Sequence, residues 1–243
     1  MQELKEYQEV SHRAQLEIAE TFFSMGSYEQ AAKFFKRLLR IDLFEEDRKN
    51  VLFKYAYTIY LSGDFLEAAG SLRDFVREFP ASELTAEARY LLSDAYLRLN
   101  DPKRAMKETL ELLTAEVSKI NTKPEAWLYW KKRTGNKLAN QFYEDGNYID
   151  ALTIYQAMVD ISQDLTWCSP VLYQIGLCYE RLDMKPKAVE AYQEIVEAPA
   201  ERIDSYDGDL TLKSIHEMAM WRVDRINADI TLESDLKEIL ENA

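Results

Sequence analysis

The sequence predicts an all-α solenoid, built from five helix–turn–helix hairpins with a degenerate C-terminal capping pair. Three observations predict it. One pattern recurs five times, in GSYEQAAKFFKRLL (26–39), GDFLEAAGSLRDFV (63–76), NDPKRAMKETLELL (100–113), GNYIDALTIYQAMV (146–159) and DMKPKAVEAYQEIV (183–196). The alanines that register the copies, Ala31, Ala68, Ala105, Ala151 and Ala188, stand 37, 37, 46 and 37 residues apart. A recurring period of this size marks stacked supersecondary units. The composition agrees: 47% of residues are apolar, with seven glycines, six prolines and no strand-forming runs of Val, Ile and Thr.

Each hairpin reads as helix A, tight turn, helix B, over residues 10–43, 47–80, 83–120, 124–163 and 169–200. In the second, Leu52, Tyr55, Ala56 and Ile59 form a stripe at helical spacing. Gly63 can take the left-handed conformation that closes helix A. Asp64 is placed to cap helix B, with Glu67 placed for a capping box. Phe65, Ala68, Leu72 and Phe75 make the inner stripe of helix B, and Pro80 stops it. Ser27, Asp101 and Asn147 repeat the cap position, and Pro102 follows Asp101 where a missing N–H costs nothing. The fifth hairpin carries Met184 there, with Asp183 one residue earlier, so its turn is expected to be shifted or looser.

Small residues fall twelve positions before each register alanine: Ala19, Ala56, Ser93, Ala139 and Gly176. A bulkier side chain at these crossings would push the helices apart. Between the third and fourth hairpins the spacing grows by nine residues. There, helix B of the third is expected to extend through Glu111–Ile120. Helix A of the fourth is expected to begin near Pro124, with Trp127, Trp130 and Leu128 packing the long pair. Residues 201–209 read as a polar connector. Residues 210–226 and 235–240 read as two further helices that cap residues 1–200.

A net charge of −13 opposes nucleic-acid phosphates and anionic lipid, and would steer a cationic partner instead. Cys168, expected in the linker before Pro170, and Cys178, expected as a buried thiol in a helix, lack metal-ligand spacing. Their spacing leaves a bridge between them open. No run approaches the ~20 apolar residues of a spanning helix, and the charged start has no signal-peptide core. The expectation is a cytoplasmic chain without membrane insertion. Loss of an upstream export signal would make it periplasmic.

With turns, alanines and aromatics in place, residues 13–200 resemble tetratricopeptide repeats. Residues 61–106, with FPAS followed by AEARYLLSDAYLRL, resemble bacterial cell-envelope members of that superfamily, such as outer-membrane assembly lipoproteins and Tol–Pal coordinators. The resemblance implies a protein-binding scaffold that receives a peptide or partner helix on the inner face of its A helices. Members that grip a C-terminal carboxylate use a basic and amide set. Here those places hold Leu16, Glu20, Lys54, Glu87 and Leu91, so that activity is not implied.

The residues expected on the inner face are Phe53, Tyr57, Tyr60, Tyr90, Asn136, Asn140, Tyr143 and Tyr173. Phe53, Tyr57 and Tyr60 share one helical face. Aromatic rings with polar tips make good anchors, and Asn offers a donor and an acceptor to a peptide backbone. The alternative is a structural subunit of a multiprotein, cell-envelope assembly, using its edges and the long helices of the fourth hairpin while the inner face is packed.

Catalytic and metal patterns fail. HEMAM (216–220) has Met220 where a zinc helix needs a second histidine, and TGNK (134–137) lacks the glycine of a phosphate loop. His12 and His216 are distant in sequence, and no convergent set of acid, base and nucleophile can be assembled. The expectation is no enzyme, no cofactor and no metal, with a protein or peptide as partner and the oligomeric state open.

Overall fold

The computed structural model describes residues 2–116, 124–198 and 210–242. Among these lie eleven α-helices and no strand: α1 (Gln2–Ser24), α2 (Tyr28–Leu38), α3 (Glu45–Ser62), α4 (Phe65–Glu78), α5 (Thr85–Arg98), α6 (Pro102–Leu113), α7 (Pro124–Glu144), α8 (Tyr148–Val159), α9 (Leu165–Arg181), α10 (Lys185–Val196) and α11 (Leu210–Glu241). The chain divides into two compact units, Met1–Lys131 and Lys132–Ala243. In the first, α1 to α6 pack each on the next. In the second, α8, α9 and α10 do the same, and α11 lies on α10 and α9.

A left-handed residue ends every A helix before its B helix. Gly26, Gly63, Asn100, Gly146 and Asp183 all take positive φ, between 57° and 88°. The amides of Ser27, Asp101, Asn147 and Met184 then reach back to the carbonyls of Phe22, Tyr96, Phe142 and Tyr179 at 2.8–2.9 Å. These are the six-to-one bonds that close a helix after a left-handed residue. Each register alanine donates its amide to the residue that opens helix B, as Ala188 does to Met184 at 3.0 Å. The fifth turn is therefore neither shifted nor loose. Asp183 tolerates the left-handed region, and backbone bonds rather than a side-chain cap define the turn.

Side-chain capping is sparser than the sequence suggests. Asp64 accepts from the Glu67 amide and Asp101 from the Arg104 amide, both at 3.0 Å. Ser27 and Asn147 make no side-chain cap bond. Glu67 does not complete a capping box, because its carboxylate takes Lys36 Nζ at 2.7 Å and the Tyr55 hydroxyl at 2.5 Å. It joins α2, α3 and α4 instead.

The predicted crossings are tight. Ala19, Ala31, Ala56, Ala68, Ala105, Ala139, Ala151 and Ala188 are all fully buried. Ser93 replaces the methyl with a hydroxyl that lies 3.2 Å from the Ala105 carbonyl and 2.9 Å from Thr109 Oγ1.

Four further expectations need correction. Helix α6 ends at Leu113 rather than continuing to Ile120, and residues 117–120 lie outside the described residues. Its last carbonyls find other donors: Thr114 Oγ1 bonds the Leu110 carbonyl, and Lys131 Nζ bonds those of Leu113 and Ala115 at 2.8 and 2.7 Å. Leu128 is exposed, whereas Trp127 is buried with Ala86 and Leu112 and Trp130 packs beside them. Cys168 lies in the first turn of α9, which Asp164 caps through the Thr166 amide, and neither cysteine is in a disulfide.

The last correction concerns the C-terminal end. The expected connector, 201–209, lies outside the described residues, and the two expected helices are one. No Gly or Pro interrupts residues 210–241, so nothing breaks the helix between them. Ile215, Ala219 and Ile226 bury one stripe of α11 against Ala188, Val189, Tyr192 and Ile195 of α10.

Candidate partner-binding face

Helix α3 shows how the inner face of the A helices is built. Its stripe of Val51, Tyr55 and Ile59 packs back on α2. Ala56 and Leu52 are also buried, and Tyr57 is left half-buried. The Tyr57 ring lies 5.9 Å from Phe23 of α1, which itself meets Tyr28 edge-on at 5.7 Å. Burial raises the Tyr57 hydroxyl above its ordinary range, and the neighbouring Glu87, Tyr28 and Tyr90 add to this. A second group continues within the same unit. Tyr90 of α5 packs on Trp130 of α7 at 4.9 Å, and Tyr129 meets Trp130 edge-on at 5.0 Å.

The predicted residues separate into different roles. Phe53 is only 8% exposed, with its ring 5.4 Å from Phe75 of α4, so it belongs to the core between paired helices. Tyr60 donates its hydroxyl to the carboxylate of Asp94, one repeat on, and meets Phe65 edge-on at 5.6 Å. Asp94 is itself buried, with Arg98 Nε at 3.5 Å. Burial and this bond to Asp94 raise the Tyr60 hydroxyl strongly. Tyr60 thus braces α3 against α5. Tyr57 and Tyr90 keep half-buried rings.

In the C-terminal unit the predicted residues are also engaged within the chain. Asn140 is exposed, and its side-chain oxygen accepts the Tyr155 hydroxyl at 2.5 Å. Tyr143 accepts from Arg181 Nε at 3.3 Å and meets Tyr148 edge-on at 5.2 Å. Tyr173 lies 5.3 Å from the Tyr192 ring, and Asn136 is half-buried. His216 has Nε2 3.3 Å from the Val196 carbonyl.

Tyr28, Tyr129 and Trp130 join the aromatic face without having been singled out for it. Tyr28 opens a B helix three residues before its register alanine, as Phe65 and Tyr148 do, where the repeat itself accounts for the ring. Trp130 lies nine residues before Ala139, in the first turns of α7. The heavy aromatic content of WLYW (127–130) was the available signal. On the same face, Lys54 pairs with Glu20, each about half exposed, and an exposed pair of this kind adds little to stability. Such an arrangement can hold a partner by ring burial and by the polar tips of tyrosine.

Comparison with known proteins gives two family matches. Residues 8–123 match the YfiO family, described as outer membrane lipoprotein, and residues 171–198 match a tetratricopeptide-repeat family. No curated protein sequence is matched. Solved structures similar to this chain include the MamA protein, at 19% identity over 82% of this chain and 97% of that one, with a TM-score of 0.48. A Podosopora anserina putative kinesin light chain with nearly identical TPR-like repeats is 14% identical over 81% and 97%, with a TM-score of 0.48. YrrB, a TPR protein with an unusual peptide-binding site, is 17% identical over 86% and 94%, with a TM-score of 0.45.

Proposed function

We propose that this chain, a member of the tetratricopeptide-repeat superfamily by its five hairpins and its family matches, is a non-catalytic scaffold that holds a protein partner on the aromatic inner face of residues 1–131. The observation that carries the reading is the pair of ring clusters, Tyr28–Phe23–Tyr57 and Tyr90–Trp130–Tyr129, whose rings the fold leaves only part-covered or exposed. A peptide or amphipathic helix laid across them would bury those ring faces.

The working place is the cell envelope. The match over residues 8–123 to a family of outer membrane lipoproteins favours the periplasmic alternative, and the cytoplasmic expectation has no comparison behind it. No helix among the described residues is long and apolar enough to cross a membrane.

The second reading, a structural subunit that assembles through its fourth hairpin, draws on exposed Leu128 and Tyr129 at the start of α7. Photo-crosslinking in the native cell separates the two. A crosslinkable residue at Tyr57 should capture a defined partner, and Tyr57→Ala with Tyr90→Ala should release it while leaving the circular dichroism intact. Capture at Leu128 but not at Tyr57 would favour the structural reading. Capture at neither would remove both.

A further inference from the structure

Helix α11 carries two apolar stripes, and among the described residues only one of them packs on other helices. The first packs on α10 through Ile215, Ala219 and Ile226. The second holds Met218, Trp221, Leu232, Leu236, Ile239 and Leu240, which are 43–77% exposed. Its spacing is regular. Met218, Trp221, Arg225, Ala228, Leu232, Asp235 and Ile239 follow at alternating steps of three and four. That is the pattern of a seam between paired helices. Past Glu233, which pairs with Lys185, every described residue of α11 is exposed. A lone helical end of this length is marginal in water without a neighbour.

Charge selects the neighbour. Residues 227–242 carry five carboxylates and one lysine, a net −4, whereas residues 210–226 carry three cations and two carboxylates, a net +1. The Arg225 guanidinium stands 5.3 Å over the Trp221 ring, on the basic half of the exposed stripe. A parallel copy would set acidic end on acidic end. An antiparallel copy sets the acidic end of each helix beside the basic half of the other, with the small Ala228 near the two-fold axis, where two helices approach most closely.

We infer that α11 pairs antiparallel with α11 of a second copy of this chain, making the protein a homodimer. The interface shares no residue with the aromatic face of residues 1–131, so its test does not depend on the partner proposed there. Sedimentation of the full chain over a range of concentrations tests it. The expected result is a reversible dimer, weakened on the order of 100-fold by Leu232→Glu with Ile239→Glu, with unchanged helical content because both residues are exposed. A monomer at every concentration, or a dimer indifferent to these substitutions, overturns the proposal. In a Cys168→Ser background, Ala228→Cys should form an interchain disulfide under mild oxidation and Leu240→Cys should not. The reverse pattern overturns the antiparallel arrangement.

Discussion

The ring of Tyr192 occupies the space into which a side chain on Gly176 would project. In the four other hairpins the crossing admits a methyl or a hydroxymethyl, but here even a Cβ would meet the ring. Tyr192 is fully buried and donates to Glu180 at 2.6 Å, so it has no room to retreat. At an exposed helical site Gly→Ala would stabilise by about 1 kcal/mol. Gly176→Ala is expected to reverse that sign and destabilise by about 1–3 kcal/mol through overpacking. Urea unfolding reads it, and a midpoint that rises would mean the crossing is looser than this geometry.

The turns make a second test, because similar left-handed turns carry unequal caps. Asp64→Ala and Asp101→Ala should each cost about 1 kcal/mol, since both carboxylates hold an amide of the first turn. Ser27→Ala and Asn147→Ala should be near neutral, because neither makes that bond. Thermal unfolding of the four variants checks the ranking; equal losses would show that residue type rather than geometry sets the cap.

Periodicity made the fold legible. The register alanines and their small partners twelve residues earlier are read from spacing alone, and all lie at buried crossings. Where spacing broke down, so did the reading. The extent of α6 depends on Lys131, eighteen residues away, taking its terminal carbonyl, and local sequence carries no sign of that. The two C-terminal helices were separated by a weak apolar pattern, although no breaker residue divides them. The candidate face was half legible: Tyr57 and Tyr90 follow from helical phase. Phe53 turned inward because its helix meets Phe75, and Tyr60 found Asp94 in the next repeat; both depend on pairing between helices.

Lys131 joins the two ends of the lengthened connection in the N-terminal unit. The residue is 9% exposed, and its ammonium donates to the carbonyls of Leu113 and Ala115, at the end of α6, where the helix dipole favours a cation. Lys131→Met keeps most of the stem but strands two carbonyls, and should cost about 1–3 kcal/mol. Hydrogen exchange should show the loss as fraying of the last turn of α6, while α8 to α10 remain protected. Uniform loss of protection would mean that Lys131 does not act as a local cap.

Alkaline pH should unfold the chain earlier than its carboxylate excess alone would suggest. Burial pushes the Cys178 thiol up to about 12 from an ordinary value of 9.0, and burial raises the Tyr155 and Tyr192 hydroxyls too. For a group that is neutral when protonated, a raised value in the fold means that the unfolded chain loses its proton first. Stability from these groups is therefore complete below about pH 9 and falls as the pH climbs from there towards 12. Burial of Lys131 lowers its own value and works in the opposite sense, so Lys131→Met should steepen the alkaline loss. Thiol labelling gives an independent reading. At pH 8 the Cys178 thiolate fraction in the fold is on the order of 10⁻⁴, so Cys168 should label first and Cys178 only with unfolding. Rapid modification of both thiols in the native protein would show that the α9 core is open to solvent.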